Sequence, residues 1–353
     1  MEPVAEANAA AGVKLLRLAE QLESHSGFAA ILASLKAGHS GTLGGVWGSS
    51  CALCAAAIER CSPETLVVVL PHMRDIDSFV EDVALFSDAQ VDQLPAWETD
   101  SGERLLNDEI YGQRVRVLKK LSHTGSGRGN LPRILVTAIQ SLMQPVPSRE
   151  SLVAATRTIR VGEVLDATEF TRWLAEAGCT STTAVELAGE FSMRGGILDI
   201  FPPDAEHPIR LELFGDEVES LRIFDVATQR SLETVDAVDI TILKPTTAHR
   251  THLSAYLPGE SWFLLVEPSE LEEEGRFYHQ RLERPEEFFS VSLALSEVVK
   301  FPSVTAAGVP AGSYESTAHM QFESVERFSG DVHRVREELD SIASDQQVFL
   351  VTE

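Results

Sequence analysis

The sequence predicts an α/β fold with a parallel sheet, interrupted by an inserted α+β domain that is built on an antiparallel sheet. Two continuous apolar runs, residues 65–70 and 134–138, are typical of parallel strands buried on both faces. Between residues 150 and 243, short strand-like segments surround one helical stretch, residues 167–177, as expected for an antiparallel sheet. The chain has 353 residues, which is enough for two or three domains.

The elements of the first part follow from the spacing of apolar side chains. Apolar residues recur at helical spacing in four segments: residues 12–37, 51–60, 75–86 and 107–121. A glycine- and serine-rich stretch, residues 122–133, is typical of a surface loop before the second buried strand. Short connections from strand to helix to strand predict a right-handed βαβ unit.

Proline residues at positions 145 and 147 predict a domain boundary. We therefore predict three parts: residues 1–145 and 244–353 as the α/β parts, and residues 146–243 as the inserted domain. In the inserted domain, strands are predicted at residues 158–161, 182–187, 196–201, 209–214 and 220–224, with Gly215-Asp216 as a hairpin turn. In the last part, a strand at 262–266, helices at 270–282 and 332–342, and an apolar run at 348–351 restore the α/β pattern.

Charge and composition narrow the function classes. The sequence has 29 basic and 54 acidic residues, a formal net charge of −25, and its longest cationic run is Lys119-Lys120. A nucleic-acid duplex repels such a surface, so a protein partner is favoured over nucleic acid. The sequence has no apolar run long enough to span a membrane and no basic start of a signal peptide. Its four cysteines form no disulfide framework, so we expect a cytoplasmic protein. We also expect a monomer.

The segment from Gly45 to Ala52 stands where a phosphate-binding loop would lie, between a strand and a helix. Such loops need a glycine-rich turn for the phosphates, a lysine for their charge and a hydroxyl for Mg²⁺. Gly45 and Gly48 are present, but the second motif glycine, the lysine and the hydroxyl are replaced by Ser50, Cys51 and Ala52. We expect a degenerate P-loop-like lobe that does not hydrolyse ATP. The alternative, that the segment was never a nucleotide loop, conflicts with the surrounding strand–loop–helix–strand order.

No catalytic or metal-binding residues are predicted. Cys51 and Cys54 have the spacing of a metal or redox pair, but they fall in an alanine-rich helical stretch and are expected to pack in its core. His249 and His252 lack flanking cysteines or carboxylates that would complete a metal site.

Strand parity points to a docking surface in the inserted domain. In residues 209–214, alternation places three aliphatic side chains on one face and Arg210, Glu212 and Phe214 on the other. An exposed arginine and phenylalanine together are typical of a protein interface, and Arg194 is positioned to join them across the sheet. The alternative is that both arginines pair with local acids such as Glu212 while Phe214 packs beneath a loop.

Three segments carry a specific resemblance. They are Gly-Glu-Phe-Ser-Met-Arg-Gly-Gly-Ile-Leu-Asp-Ile-Phe-Pro at 189–202, Pro-Ile-Arg-Leu-Glu-Leu-Phe-Gly-Asp-Glu at 208–217, and Phe-Asp-Val-Ala-Thr-Gln-Arg-Ser at 224–231. Together they resemble domain 2 of the bacterial transcription-repair coupling factors (Mfd) and of their relative UvrB. Residues 94–99, with Trp-Glu-Thr, and residues 327–330, Arg-Phe-Ser-Gly, extend the likeness over nearly the whole chain.

The resemblance implies an N-terminal UvrB-homology module whose first and third parts form one RecA-like lobe, with an inserted domain that binds UvrA. Arg194, Arg210 and Phe214 match the coupling-factor positions that contact UvrA. Members of the family couple stalled RNA polymerase to nucleotide excision repair through a polymerase-binding domain and an ATP-driven DNA motor further downstream. On this resemblance the chain ends before both, so RNA polymerase, DNA, ATP and Mg²⁺ are expected to engage the downstream domains only.

The degenerate loop favours the coupling factors over UvrB, which keeps the lysine and the hydroxyl. A second loss agrees: the strand at 262–266 should end in Asp-Glu, but Val266 precedes Glu267, and the carboxylate that would organise Mg²⁺ is missing. The aromatic DNA-gripping hairpin of UvrB also has no counterpart between residues 98 and 130. The resemblance therefore favours a non-enzymatic UvrA-docking module without a cofactor. The alternatives are a UvrB-like ATP-dependent damage loader and an autoinhibitory shell for a downstream motor.

Overall fold

The computed structural model describes residues 15–97, 106, 108–122, 131–243, 250–309 and 316–322. In these ranges a seven-stranded parallel sheet with helices on both faces forms a lobe, and a six-stranded, mainly antiparallel sheet forms the inserted domain. The predicted α/β class is confirmed. The predictions at residues 98–99, 327–330, 332–342 and 348–351, and the one for His249, lie outside the described residues.

The first part of the lobe alternates helices and strands as the apolar spacing predicts. Its elements are α1 (residues 15–24), α2 (Ser26–Lys36), β1 (Gly41–Gly44), α3 (Ser49–Cys61), β2 (Leu66–Leu70), α4 (Ile76–Phe86), β3 (Val91–Leu94), α5 (Glu109–Ser122), β4 (Ile134–Ala138) and α6 (Ile139–Met143). The segment of helical spacing at 12–37 contains two helices in the described residues, because the backbone is extended at His25, which precedes α2.

The inserted part contributes β5 (Val146–Pro147), α7 (Arg149–Ala154), β6 (Thr156–Arg160), α8 (Ala167–Ala177), β7 (Thr180–Ser181), β8 (Glu190–Arg194), β9 (Ile197–Ile200), β10 (Ile209–Phe214), β11 (Glu217–Phe224), β12 (Ser231–Val235), β13 (Ala237–Thr241) and β14 (Arg250–Thr251). The strand predicted at 182–187 is wrong. The amides of Glu186 and Leu187 bind the Glu190 carboxylate at 2.8 and 2.9 Å instead of a neighbouring strand. The hairpin turn at Gly215 is confirmed, with φ +63°.

The last described part of the lobe contains β15 (Trp262–Val266), α9 (Pro268–Arg281), α10 (Val291–Val298), β16 (Ser303–Ala307) and β17 (Ser316–His319). The strand order is β17-β1-β16-β15-β2-β4-β3, and all neighbours are parallel. β1 and β2 flank α3 in the chain, yet β16 and β15 lie between them in the sheet. Both parts of the chain therefore build one lobe, and the carboxyl ends of β1, β15 and β16 meet at one edge.

Alternate residues of each central strand pack on opposite sides of the sheet, as expected for fully buried parallel strands. Leu66, Val68 and Leu70 face α1 to α4, while Val67 and Val69 face α5, α6, α9 and α10. A third core lies between α8 and one face of the antiparallel sheet of the inserted domain. No helix among the described residues has the length and apolar character needed to cross a bilayer.

Several contacts among the described residues join the inserted domain to the lobe. β5 pairs with β14, so the outgoing and returning segments form a short antiparallel ribbon. Helix α5 packs closely against the loop at 202–206: a Cβ added to Gly112 would lie 2.1 Å from the Pro203 carbonyl oxygen. The Lys119 Nζ atom lies 2.6 Å from an Asp204 carboxylate oxygen, and the Tyr111 hydroxyl donates a hydrogen bond to the Leu243 carbonyl. These contacts fix the orientation of the inserted domain.

Candidate functional site

The loop after β1 is closed by groups of the chain itself. The Val46 amide donates to the Ala307 carbonyl at 3.1 Å, and the Trp47 amide donates to Ser50 Oγ at 2.9 Å. Ser50 Oγ in turn donates to the Trp47 carbonyl at 2.7 Å. A phosphate loop keeps such amides available for the ligand. Here the hydroxyl at the position of the second motif glycine takes up one of them.

The backbone after β17 lies directly against the loop. The Met320 amide donates to the Gly44 carbonyl at 2.8 Å. Gly45 has φ +70°, and a Cβ added to it would lie 2.1 Å from the Met320 carbonyl oxygen. The retained glycine is therefore required by contact with the protein's own backbone.

The positions of the missing lysine and hydroxyl point into the core of the lobe. Cys51 and Ala52 are both buried in the cluster beneath α3. Burial, together with the nearby Glu267 carboxylate, raises the pKa of the Cys51 thiol to about 12. Cys54 is also buried, with its pKa raised, as predicted for a residue of the helix core.

The Walker B-like position is also used for structure. Val266 is buried, and Glu267, with φ +48°, accepts a hydrogen bond from the Gly308 amide at 2.9 Å. The Glu267 carboxylate thus ties the end of β15 to the end of β16. No group of three metal-ligating side chains occurs in the described part of the chain.

The antiparallel sheet presents a second, different surface, which we call the outer face. It comprises the side chains of β8 to β10 that point away from the core: Arg194, Ile197, Asp199, Arg210, Glu212 and Phe214. The register places Arg194 opposite Ile197, Ile197 opposite Glu212, and Asp199 opposite Arg210. Residues on one face of neighbouring strands interact across the ladder, so these six side chains form one surface.

Phe214 and Arg194 are exposed residues of the outer face, and we call them its open groups. Phe214 ends β10 and is 79% exposed, and Ile197 in the same end of the sheet is 41% exposed. Arg194 is exposed at the end of β8 and makes no ion pair or side-chain hydrogen bond with any residue that the structure describes. The sequence placed Arg194 just before a strand, whereas it is the last residue of one.

Arg210 is held from three sides. Its Nε and Nη2 atoms donate to Oδ1 and Oδ2 of Asp199 at 2.7 and 2.9 Å, and Nη2 also donates to Gln229 Oε1 at 3.2 Å. The guanidinium carbon lies 4.5 Å from the centre of the Phe224 ring. The hydrogen bond to Asp199 raises the pKa of Arg210 above its ordinary value.

The alternative reading of this surface holds for Arg210, which pairs with a local acid, although that acid is Asp199. It fails for the other two residues: Arg194 makes no ion pair with a described residue, and Phe214 is 79% exposed rather than packed beneath a loop. Glu212 binds Arg222 at 3.1 Å and Ser220 at 2.8 Å. Sequence reasoning missed Asp199 and Ile197. The signal was present, since alternation in residues 197–200 puts both on the face opposite Leu198, but the pairing of Asp199 with Arg210 depends on a strand register that the sequence does not reveal.

His252 has a structural role. Its Nδ1 atom accepts a hydrogen bond from the Ser254 amide at 3.1 Å and caps a short 3₁₀ turn. Burial lowers the pKa of His252 to about 4, so the ring is neutral near pH 7.

These features describe an α/β lobe with a closed loop and an inserted domain with an open sheet face. Residues 158–244, which contain the outer face, match the family model of the UvrB interaction domain. Curated relatives of the chain are the transcription-repair-coupling factors of several bacteria, which confirms the resemblance predicted from residues 189–231.

The likeness to these relatives covers about half of the chain, less than the nearly whole-chain likeness that the sequence predicted. It is 37% identical over 187 residues to the factor of Mycobacterium tuberculosis (strain CDC 1551 / Oshkosh), covering 52% of the chain and 15% of the relative. It is 31% identical over 207 residues to that of Escherichia coli (strain K12), covering 58% and 18%. It is 30% identical over 200 residues to that of Bacillus subtilis (strain 168), covering 56% and 16%. The match therefore spans less than a fifth of these relatives.

Proposed function

We propose that the chain is a docking module of a transcription-repair coupling factor, and that it recruits UvrA through the outer face in transcription-coupled nucleotide excision repair. The observation that carries this proposal lies inside the segment that matches the UvrB interaction domain: Phe214 is exposed, and Arg194 is unpaired among the residues that the structure describes. The names of the curated relatives support the repair context.

The outer face has the chemistry of a protein interface. A phenylalanine that becomes fully buried on binding contributes an anchor of about 2 kcal/mol or more, as aromatic hot spots do. Arg194 has its full set of donors available for a carboxylate of the partner. The chain as a whole carries a charge of −25, and Arg194 contributes to this surface a positive charge that no described residue pairs.

We further propose that this lobe does not hydrolyse ATP and needs no cofactor. The amides of Val46 and Trp47 are occupied, the lysine position is a buried cysteine, and Glu267 is bound to Gly308. Without a cation and a metal ligand, nothing in this loop neutralises a triphosphate. ATP, Mg²⁺, DNA and RNA polymerase are then partners of other parts of a coupling factor.

Calorimetric titration of UvrA with the chain tests the proposal. Wild type is expected to bind, and Arg194→Glu is expected to weaken binding at least about tenfold, because a like charge then faces the acidic partner group. Arg172→Glu is the matched control, since Arg172 is exposed on α8, on the opposite side of the sheet. Equal affinities for the two variants would contradict UvrA docking at the outer face, and a heat of ATP binding to wild type would favour a UvrB-like loader instead.

A further inference from the structure

The two arginines of the outer face are in different electrostatic states. Arg194 is exposed and unpaired among the described residues. The side chain of Arg210 is 23% exposed, and that of its partner Asp199 only 4% exposed. A partner protein therefore meets one free cation and one cation that is already neutralised.

The clamp on Arg210 fixes the side of the guanidinium that a partner can reach. Asp199 takes the Nε and Nη2 edge in a bidentate pair, and Gln229 takes a second proton of Nη2. The Phe224 ring covers one flat face of the group. Nη1 is the nitrogen that donates to no described residue, so a partner contacts Arg210 through this nitrogen. A bidentate, stacked guanidinium loses little freedom on binding, because its rotamer is already set.

The net charge around each arginine also distinguishes Arg194 from Arg210. Asp199 and Arg210 sum to zero, and Glu212 and Arg222 form a second neutral pair on the neighbouring strands. Salt weakens the attraction between net charges that lie near solvent, and it acts much less on a neutral, partly buried pair. Of the three positions proposed to contact UvrA, Arg194 is the one whose charge is not balanced by a described residue.

We propose that Arg210 enters the UvrA interface as a fixed, neutral ion pair with Asp199, and that Arg194 supplies the salt-sensitive attraction. Asp199 is then a positioning residue, which acts on the partner through Arg210. The partner presents a carboxylate to Arg194 and a neutral acceptor, such as a main-chain carbonyl, to Nη1 of Arg210. This inference rests on the proposed UvrA docking.

The test is the salt dependence of UvrA affinity, measured by titration between about 50 and 500 mM salt, where the screening length falls several-fold. Arg194→Gln is expected to flatten the dependence. The double variant Asp199→Asn with Arg210→Gln replaces one neutral pair by another. It is expected to weaken binding by the same factor at every salt concentration and to keep the wild-type slope.

Asp199→Asn alone separates positioning from simple support of the fold. It frees Arg210 as an unpaired, mobile cation, so affinity is expected to fall roughly threefold to tenfold from the cost of ordering one side chain, while the salt dependence becomes steeper. Loss of stability alone would lower the thermal midpoint without changing the slope. Adding Arg210→Gln to Asp199→Asn is expected to weaken binding by less than the product of the single effects, since the two residues act as a unit.

The outcomes separate this inference from the proposed function. If the double variant flattens the salt dependence as much as Arg194→Gln does, Arg210 acts as a free cation and the inference is wrong, while UvrA docking stands. If wild type does not bind UvrA at any salt concentration, the docking function itself is wrong and the inference falls with it. A wild-type slope for the double variant supports both.

Discussion

The loop after β1 and the outer face of the inserted domain show two opposite fates of polar groups at the ends of strands. In the loop, the Ala307 carbonyl and Ser50 Oγ accept hydrogen bonds from the Val46 and Trp47 amides, which are groups of the kind that a phosphate would bind. On the outer face, Arg194 makes no ion pair or side-chain hydrogen bond with any residue that the structure describes, and Phe214 is 79% exposed. The comparison teaches two signs of function. Loop amides that are hydrogen-bonded to the protein itself argue against a phosphate site, whereas exposed side chains without a described partner argue for a docking surface.

The largest effect is expected for Arg210→Glu. The variant puts a second carboxylate beside Asp199, which stays buried without its partner, and breaking a buried ion pair costs about 3–5 kcal/mol of unfolding free energy. Urea denaturation measures it, and Arg194→Glu at the exposed end of β8 is the matched control. Equal stability of the two variants would show that the Asp199 clamp is not part of the native state. Charge reversal at Arg210 is thus a poor probe of binding, because it also damages the fold.

Phe214→Ala is expected to lower the affinity for UvrA and to leave the stability of the chain almost unchanged. The side chain is 79% exposed, so its removal is expected to change the unfolding free energy by less than about 0.5 kcal/mol. UvrA affinity is expected to fall by about 2 kcal/mol or more, as for an aromatic hot spot. The control is Phe277→Ala, at a 48% exposed phenylalanine of α9 in the lobe. If both variants bind equally well, Phe214 is not an anchor.

Gly45→Ala tests the closed state of the loop. Gly38→Ala is a suitable control, because Gly38 also has a positive φ, +82°, but an added Cβ would meet nothing within 4 Å. Both variants carry the strain of a left-handed residue, about 1–2 kcal/mol. Gly45→Ala is expected to cost a further ~1–3 kcal/mol from overpacking against the Met320 carbonyl. Thermal unfolding measures the difference, and its absence would mean that the backbone at Met320 does not pack on the loop.

The smallest signal is expected from thiol labelling of the native protein, in which one of the four cysteines is expected to react. Burial raises the pKa of Cys51 to about 12, and a thiolate is the reactive form, so Cys51 is inert near pH 8 in the native protein. Cys61 is the partly exposed cysteine and is expected to react alone, whereas all four cysteines react in denaturant. Counting thiols with a chromogenic disulfide checks this. Native labelling of Cys51 would mean that the loop opens.

Local patterns predicted most of the lobe and the sides of its strands. Strands 134–138 and 262–266, and helix 167–177, agree with the structure residue by residue. β3, with Asp92 and Gln93, was missed because an edge strand needs few apolar side chains, and β16 because its small residues carry a weak apolar signal. The error at 182–187 arose where a side chain, Glu190, satisfies amides that the pattern assigned to a neighbouring strand.

The candidate site was predicted in position and not in detail. Alternation correctly placed Arg210 and Phe214 together on the polar face of β10. It could not pair Arg210 with Asp199, because that contact joins strands across an eight-residue connection whose register depends on the folded sheet. Likewise, the sequence predicted a βαβ unit from β1 to β2, but not that two strands from beyond the insertion separate them.

The ribbon of β5 and β14 has a consequence for how such proteins diversify. Val146 lies opposite Thr251 in antiparallel pairing, so the chain leaves the lobe and returns to it at points about 5 Å apart. A domain inserted between these two points needs only to have its own two ends close together. Insertion of a domain is tolerated best at such sites. A different domain inserted between these two strands would therefore leave the fold of the α/β lobe unchanged.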